Sequence, residues 1–347
     1  MFERINIYEE KMRIGDKTIG KGRTYIIADV GSNFNGSLEL AKDYIRVGKE
    51  IGIDCVKFQS YTAESLLSPF KPDGSKWEAY DVVKKYELPV SWHSVLKECA
   101  DMCGVEFMST PFSLEIVDKL NEMGVRAFKV ASGDLTFIPL LKKLGSCGKP
   151  IILSTGMAYT GEIDTAIKRL RQSGTEDVAL LHCVSNYPPK YEKVNLKAVE
   201  TMRQTFNVPI GLSDHTLDDV TALGAVALGA CIIEKHITFD KNLGTPDAPF
   251  AMTIDEFKAM INRIRNLEKA LGDGIKEPAD DEIAERQWAR RGVYASRSIK
   301  VGEKLTLDNA KFLRPIRGIS ALEWMTYQES TIKRNIAGGE PVTRDDM

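Results

Sequence analysis

Two histidines of this chain stand at the ends of apolar segments that follow each other in the sequence. His215 comes after PIGLSD, and His236 ends CIIEKH. If these segments are neighbouring strands of a parallel sheet, only about 4.8 Å separates them, and the imidazoles can converge on one ion. Neutral imidazoles with oxygen ligands suit a divalent metal such as Mn, Fe, Co or Zn. The pair predicts a metal site with positions open for a substrate carbonyl, and a metal-free, hydrogen-bonded histidine pair is the alternative.

Lysines and hydroxyl groups end the other apolar segments. Lys57 lies in CVKFQS, and Lys129 lies in FKVAS. The hydroxyl groups belong to Ser109, Thr110, Ser132, Ser154 and Ser213. Ammonium and hydroxyl donors around one opening predict a binding site for a phosphate or a carboxylate. Two alternatives stay open: the lysines only pair with nearby acids, or Lys57, Lys129 or Lys235 forms a Schiff base with a carbonyl substrate, as in an aldolase.

Four carboxylates and one thiol complete the set of candidate acids, bases and nucleophiles. The carboxylates belong to Asp29, Asp134, Asp214 and Asp247. Each could transfer a proton or only orient a neighbour, and Asp214, directly before His215, is better placed for orientation. Cys183 follows His182 at a segment end and is a candidate nucleophile, with a core thiol as the alternative.

The chain contains eight apolar segments that end in polar residues, and a scaffold must bring these ends together. In order, the segments are YIIAD, CVKFQS, EFM, FKVAS, IIL, LLHCVSN, PIGL and CIIEKH. Each is short and almost continuously apolar, which is typical of a parallel strand covered on both faces. Helical periodicity is found in the segments 38–51, 91–103, 114–123, 137–145, 161–173, 196–206, 218–229 and 254–271. Since every strand end carries polar groups, the pattern predicts a (β/α)8 TIM barrel with its active site at those ends. An open doubly wound sheet, the alternative, would normally concentrate its site at one switch point.

The composition changes along the 347 residues and predicts four segments. Residues 1–24 alternate apolar and polar residues around a Gly-Asp turn and predict a hairpin. Residues 25–272 would form the barrel, 273–290 a charged linker with helical content, and 291–347 a small β-rich domain near the lower size limit for independent folding. The long connection from 62 to 90 is either a lid with its own short helix or a solvated insertion.

Charge and hydropathy exclude several classes of protein. A net charge of −2 gives no support for binding to nucleic acid or to a membrane surface. The N-terminus has no apolar signal core, and the longest run of small apolar residues is too short to span a bilayer. The six cysteines form no CxxC pair. We therefore expect reduced thiols in a cytoplasmic enzyme.

Beyond single residues, longer motifs resemble a known family. In this order, GSNFNGSLELAKDYI, VKFQSY, STPFS, FKVASGD, GKPIILSTGM, LLHCVSNYP, GLSDHT and EKHITFD…PDAPFAM resemble the sialic acid synthase family, whose members make N-acetylneuraminic, legionaminic or pseudaminic acid. The segment ASRSIKVGEKLTLDNAKFLRP is similar to the antifreeze-like (SAF) domain of that family. The resemblance implies a metal-dependent enzyme, using Mn, Mg or Co, that condenses phosphoenolpyruvate with the open-chain aldehyde of an N-acetylated amino sugar and releases phosphate.

By similarity, each candidate residue receives a role. The catalytic residues would be Asp29, Lys57, Lys129, Asp134, His215 and His236, with the metal on the two histidines. Phosphoenolpyruvate would be held by Lys57, Thr110, Lys129, Ser132, Ser154, Ser185 and Ser213. The amino sugar would contact Gln59, Tyr187 and Asp247. The resemblance also implies a domain-swapped homodimer in which Arg314 reaches the other copy's barrel, and an ordinary surface arginine is the alternative.

Four positions depart from the family pattern. Asp29 and Asp134 stand where many relatives carry Glu, Phe34 replaces a frequent His, and Ser185 stands where some relatives carry Asn. These departures leave the identity of the acceptor sugar more open than the type of reaction.

Overall fold

The computed structural model describes residues 11–20 and 22–347 of the chain. The chain divides into two compact units, one ending at Gly272 and the other running from Asp273 to Met347. Residues 1–10 of the predicted hairpin lie outside the described residues. Each unit has its own hydrophobic core.

The first unit begins with a small hairpin. Strands β1 (Met12–Ile14) and β2 (Lys17–Ile19) pair antiparallel. The apolar side chains of Met12, Ile14 and Ile19 are buried against interior-facing residues near the amino ends of the following strands. The hairpin therefore closes the bottom of the sheet structure that follows.

Eight parallel strands then form a nearly closed barrel. They are β3 (Tyr25–Asp29), β4 (Cys55–Ser60), β5 (Glu106–Pro111), β6 (Phe128–Val130), β7 (Ile151–Ser154), β8 (Val178–Cys183), β9 (Ile210–Asp214) and β10 (Ile232–Thr238). Hydrogen-bonded neighbours follow the order β5-β4-β3-β10-β9-β8-β7-β6, so the last strand pairs with the first. Strands β5 and β6 lie side by side, without a ladder pair among the described residues. The predicted barrel is confirmed, and the open sheet is excluded.

Helices connect the strands and cover the barrel. They are α1 (Leu38–Ile51), α2 (Ala63–Leu66), α3 (Glu78–Lys85), α4 (Trp92–Cys103), α5 (Leu114–Glu122), α6 (Ile138–Ser146), α7 (Thr160–Ser173), α8 (Tyr191–Val194), α9 (Lys197–Phe206), α10 (Val220–Ala227) and α11 (Ile254–Leu271). Caps explain several ends: the Ser37 hydroxyl accepts the Leu40 N–H at the start of α1, and Gly52, at φ 88°, ends it. A short strand, β11 (Met252–Thr253), pairs in parallel with the end of β10 and directly precedes α11.

Side chains alternate along each barrel strand between the interior and the helix layer. On β10, Ile233 and Ile237 belong to the large core shared with the helices, whereas Ile232 belongs to the interior cluster at the bottom. This period of two decides which polar side chains at the strand ends face the barrel opening.

A buried carboxylate fastens the bottom of the barrel. Asp54, just before β4, accepts hydrogen bonds from Lys17 Nζ at 2.8 Å, Arg23 Nη1 at 2.7 Å and the Ile26 N–H at 3.0 Å. Because Lys17 lies on β2, this carboxylate ties the hairpin to the barrel.

The long connection 62–90 contains the two short helices α2 and α3. Its ends are fixed by polar contacts, since the Ala63 N–H donates to Glu87 at 2.7 Å and the Tyr86 hydroxyl donates to the Gly244 carbonyl at 3.2 Å. The connection is thus an ordered segment with helical content.

The second unit opens with helix α12 (Glu282–Ala289), followed by β12 (Gly292–Ala295), β13 (Ala310–Leu313) and the short helix α13 (Trp324–Tyr327). Strands β12 and β13 pair antiparallel, and further isolated bridges join the surrounding loops. Its core is formed by Val293, Ile299, Leu305, Ile319, Trp324, Ile332, Ile336 and Val342. Within the described residues of both units, we find no helix that is long and apolar enough to cross a membrane.

Candidate active site

Polar side chains fill the carboxyl end of the barrel interior. Asp29 ends β3, and Lys57 lies opposite it in the β3–β4 ladder. Lys57 Nζ donates to Asp29 Oδ2 at 2.6 Å, and Gln59 Nε2 donates to the same oxygen at 3.1 Å. Burial alone would raise the pKa of Asp29, but the charges of Lys57 and His236 outweigh it and lower that pKa. Burial acts against the Lys57 ammonium too, yet Asp29 and Glu234 raise its pKa, so we expect a charged pair.

Glu234 occupies the centre of the site and was missed as a candidate from the sequence. Its Oε1 lies 3.5 Å from Lys129 Nζ and accepts the Ser213 hydroxyl at 2.9 Å, while its Oε2 lies 3.9 Å from Lys57 Nζ. Oε2 is buried and has no hydrogen-bond partner. Alternation along β10 was the available signal, because Glu234 and His236 must share a face whereas Lys235 must point the other way.

Lys129, on β6, supplies the second ammonium. It donates to the Ser154 hydroxyl at 2.7 Å and to the Val130 carbonyl at 3.0 Å. Burial lowers the pKa of Lys129, and Glu234 partly compensates. The two lysines of the site are therefore each accompanied by a carboxylate.

Small groups lie beyond Lys129, at the end of β7. The Gly156 N–H donates to the Ser132 hydroxyl at 2.9 Å. A methyl group at Gly156 would lie 2.3 Å from Ser185 Oγ and 2.8 Å from Ser132 Oγ, so only glycine leaves these hydroxyls room. The Gly156 N–H is taken up by Ser132, so the hydroxyls of Ser132 and Ser185 are the donors that face this small space, and such donors can bind a phosphate oxygen. Thr110 and Ser213 are buried at the ends of their strands on other sides of the barrel.

The two predicted histidines meet at the opening. Their ring centroids are 5.5 Å apart. Burial, together with the nearby His236, lowers the pKa of His215 to about 3, so its ring is neutral at physiological pH. His215 Nδ1 lies 3.4 Å from the Val184 carbonyl oxygen, a contact that suits an Nδ1–H and leaves Nε2 as a lone-pair donor.

Their surroundings fit a cation held by few protein ligands. His236 Nδ1 is buried without a hydrogen-bond partner, an unsatisfied atom that a metal or a ligand would complete. His236 Nε2 lies 3.5 Å from Asp29 Oδ2. Among the described residues, no group of three or more His, Cys, Asp or Glu side chains is arranged to hold a metal ion. A metal bound by the two imidazoles would therefore keep most of its coordination positions for water and substrate.

Aromatic and acidic groups border the histidines. The Tyr187 ring lies 4.3 Å from that of His215 and 5.4 Å from that of Phe250, and Tyr187 is half exposed. Asp247 Oδ2 accepts the Ser32 N–H at 2.7 Å and the Ser32 hydroxyl at 2.8 Å. These residues give the opening a polar rim with one aromatic wall.

Asp134 stands apart from the ion pairs. Burial raises its pKa to about 6, although Lys129 acts in the opposite direction. Its Oδ2 is buried and has no hydrogen-bond partner. A carboxyl group with this pKa and a free oxygen can exchange protons near neutral pH.

Several residues named from the sequence lie outside the opening. His182 faces the helix layer, where Nε2 lies 2.7 Å from the Val194 carbonyl oxygen. Ser109 contacts the Phe58 carbonyl at 3.2 Å on the outer face of the barrel. Phe34 is buried and packs edge-to-face on Trp92 in the core, so this departure from the family pattern does not alter the opening.

Lys235 was a candidate for a Schiff base, and Arg314 was expected to reach the barrel of another copy. Lys235 is buried on the outer face of the barrel, bonded to Asp214 at 2.8 Å, so it is poorly placed to form a Schiff base with a substrate in the opening. Arg314 belongs to the second unit, where it follows β13 with an exposed side chain.

Cys183 faces the barrel interior, with its sulfur 3.9 Å from His215 Nδ1. Burial raises the pKa of this thiol, which disfavours the thiolate that a nucleophile needs. The six cysteines all lie within the described residues, and none of them forms a disulfide.

The chain matches known families over most of its length. Residues 44–276 match the NeuB family, and residues 290–347 match the SAF domain. The sequence is 40% identical over 323 residues to the N,N'-diacetyllegionaminic acid synthase of Campylobacter jejuni. The alignment covers 90% of this chain and 97% of the relative. The sequence is 35% identical over 347 residues to the pseudaminic acid synthase of the same species, covering 97% and 100%.

A solved structure agrees with these matches. The N-acetylneuraminic acid synthetase of Leptospira borgpetersenii, in complex with citrate, superposes with a TM-score of 0.74 at 34% identity, covering 80% of this chain and 95% of that one.

Proposed function

This chain belongs to the NeuB family, and from that premise we propose that it condenses phosphoenolpyruvate with the open-chain aldehyde of an N-acetylated amino sugar and releases phosphate. The observation that carries the proposal is the set of two buried lysines, two histidines and several hydroxyls at the carboxyl ends of one barrel. No single strand could supply this combination, whereas the barrel brings it into one opening.

Phosphoenolpyruvate is a compact anion and needs several donors at once. We assign its phosphate to the space beside Gly156 that the hydroxyls of Ser132 and Ser185 face, with Lys129 as the cation. Lys57, Thr110, Ser154 and Ser213 complete the donors around the carboxylate and the enol. Because Asp29 and Glu234 already balance the two lysines, substrate binding must reorganise these ion pairs.

The aldehyde belongs on the opposite side, near the histidines. His215 and His236 would hold a divalent metal such as Mn, Mg or Co, which when bound polarises a carbonyl oxygen as a Lewis acid. The neutral ring of His215 and the unsatisfied Nδ1 of His236 support this assignment. Gln59, Tyr187 and Asp247 line this side of the opening and would orient the sugar hydroxyls and its acetamido group.

The C2–C3 π electrons of phosphoenolpyruvate form the bond from C3 to the aldehyde carbon, which leaves C2 cationic. The π electrons of the aldehyde move to its oxygen, which takes up a proton and becomes a hydroxyl group. Water then adds to C2, and the tetrahedral adduct expels phosphate. Asp134 is our candidate for accepting the proton of that water, because its pKa near 6 leaves it mostly ionised at neutral pH and its Oδ2 is free.

Among the possible acceptors, we propose a 2,4-diacetamido-6-deoxy hexose, the type of precursor that leads to legionaminic acid. Its support is the higher identity to the legionaminic acid synthase than to the pseudaminic acid synthase. N-acetylmannosamine and a phosphorylated hexosamine are the competing acceptors.

We also propose that two chains form the complete enzyme, with Arg314 of one SAF domain contacting the sugar in the other copy's barrel. Sequence similarity across residues 290–347 to the SAF domain supports the assignment of this unit.

The direct test is phosphate release from phosphoenolpyruvate across these three sugars, with Mn, Mg or Co and after treatment with EDTA. The proposal expects release only when phosphoenolpyruvate, sugar and metal are all present. Borohydride reduction of the reacting mixture should label no lysine. Labelling of Lys57 or Lys129, or phosphate release that does not need a sugar, would refute the proposed reaction.

A further inference from the structure

A buried ion pair joins β9 and β10 on the outer face of the barrel. Lys235 Nζ lies 2.8 Å from Asp214 Oδ2, and the two side chains are only 1% and 2% exposed. The residues are opposite each other in the β9–β10 ladder and form its last pair. His215 and His236 each follow one position later. The ion pair therefore lies on the outer face of the barrel, one residue before each of the two histidines, which face the opening.

His215 needs an additional support because β9 ends at Asp214. Strand β10 continues, and His236 is still held in a ladder opposite Asp29 of β3. His215 has no such ladder position. Its place in the opening must be set by what holds the backbone on either side of it.

The same ion pair holds the backbone after His215. Asp214 Oδ1 accepts the Thr216 N–H at 2.9 Å, and Oδ2 accepts the Thr216 hydroxyl at 3.1 Å. Lys235 Nζ also donates to the Thr216 carbonyl. Residues 214 and 216 are thus both fastened to Lys235, with His215 between them.

Helix α10 completes the network. The Thr221 hydroxyl, in its first turn, donates to Asp214 Oδ2 at 2.8 Å and lies 2.7 Å from Thr216 Oγ1. All four side chains are buried. In a medium of low polarity, a buried network of this kind resists displacement, because moving Lys235 or Asp214 leaves a buried charge without its partners.

We infer that Lys235, Asp214 and Thr216, named here the strand-end bracket, position His215 against His236 and thereby set the affinity of the site for its divalent metal. The bracket residues point away from the opening and touch no substrate, so they are positioning residues. The assumption that His215 binds a divalent metal ion rests on the proposed function. The contacts of the bracket itself do not depend on it.

The test compares wild-type protein with Lys235→Met, which removes the ammonium and keeps most of the side-chain stem. Two measurements are made on the full-length chain: hydrogen exchange of the 213–221 segment without metal, and Mn²⁺ affinity by electron paramagnetic resonance. We expect faster exchange in this segment and a Kd for Mn²⁺ that rises about 10- to 100-fold, the usual effect of losing an outer-shell partner.

A matched control removes a buried carboxylate at the other end of the barrel. Asp54→Asn should lower the melting temperature and leave both the 213–221 exchange and the Mn²⁺ affinity unchanged. If Lys235→Met does not fold, Thr221→Val removes one hydroxyl donor to the bracket, and a smaller change in the same direction is expected.

The inference would be overturned if the folded Lys235→Met or Thr221→Val variant exchanged amide hydrogens in the 213–221 segment as slowly as the wild type and bound Mn²⁺ with the same Kd. If the wild-type chain itself takes up no Mn²⁺, the proposed metal role fails. The exchange measurement then decides alone whether the bracket holds His215.

Discussion

At the scale of single residues, the site is governed by how its charges are paired. Lys57 and Lys129 are both buried, and each lies beside a carboxylate, Asp29 or Glu234. Burying an ammonium without such a partner would be strongly unfavourable. The carboxylates therefore keep both cations ready for an anionic substrate.

Lys129→Met should weaken the binding of phosphoenolpyruvate by about 30- to 1000-fold, since losing one member of a buried, hydrogen-bonded charge pair typically costs about 2–4 kcal/mol. Isothermal titration calorimetry with phosphoenolpyruvate measures this directly. Lys84→Met, on the exposed side of α3, is the control and should bind as the wild type does. Equal affinity in Lys129→Met would remove Lys129 from the anion site.

Asp134 should control the acid side of the pH profile. Its pKa is raised to about 6, and the proposed role requires the carboxylate, so kcat/KM should fall about tenfold for each unit below pH 6. His215 stays neutral down to about pH 3 and adds no step in this range. The residual activity of Asp134→Asn should lack the step. If that variant keeps the same acid limb, the titrating group is a different one.

Cys183 should be dispensable for chemistry. Burial raises its pKa, so little thiolate exists at neutral pH. We expect Cys183→Ser to keep kcat within about tenfold of the wild type, because hydroxyl and thiol have similar shapes. A much larger loss, measured in the phosphate-release assay, would indicate a covalent role for the sulfur.

Sequence reasoning predicted which residues would stand at strand ends but not which way each would face. Lys57, Lys129, His215 and His236 face the opening, whereas His182 and Lys235 face the helices. Side chains alternate between the two faces of β10, so Glu234 and Lys235 face opposite sides. Applying this rule to the sequence would have added Glu234 to the predicted site residues. The pKa values could not be predicted, because they depend on burial and on partners from other strands.

At the scale of elements, the pattern of apolar residues predicted the barrel well because parallel strands are buried on both faces and read as continuous apolar runs. The eight predicted helices are present, and the bounds of α10, Val220–Ala227, differ by two residues at each end from the predicted 218–229. Helix α1, with Ser37 and Gly52 as caps, has the predicted bounds, whereas α10 has no side-chain cap at its start, so its sequence marks its end less clearly.

The hairpin at the bottom of the barrel should matter for stability and not for chemistry. Ile19 is fully buried there, at the opposite end from the site. Ile19→Ala should lower the free energy of unfolding by about 2–5 kcal/mol through lost burial and a cavity. Urea denaturation measures the loss, and kcat should not change. A large fall in kcat at full folding would mean that the hairpin is coupled to the opening.

At the scale of the whole molecule, the chain is a barrel unit followed by a SAF unit, each with its own core. The two units divide after Gly272, whereas the composition changes after Arg291, where short β-branched runs broken by turn residues predict a small β-rich domain. How two chains would share a site depends on surfaces that a single sequence does not define.

The proposed exchange of Arg314 between two chains predicts complementation. Lys129→Met supplies an intact Arg314 with an inactive barrel, and Arg314→Ala supplies the converse. Dissociating and reassociating the two inactive variants together should restore activity in mixed dimers, because one barrel then has both groups. The phosphate-release assay measures the recovery. No recovery from a mixture that does form mixed dimers would contradict a contribution across the dimer.

The central claim is that this barrel joins C3 of phosphoenolpyruvate to an amino-sugar aldehyde and then adds water at C2. Phosphoenolpyruvate carrying ¹⁸O in the bridging position between C2 and phosphorus tests this most directly, with the released phosphate examined by ³¹P NMR in the presence of the diacetamido sugar and Mn²⁺. The account predicts that the label leaves with phosphate, since water attack at C2 breaks the C–O bond. Phosphate without the label would mean that water attacks phosphorus, and the proposed mechanism would be wrong.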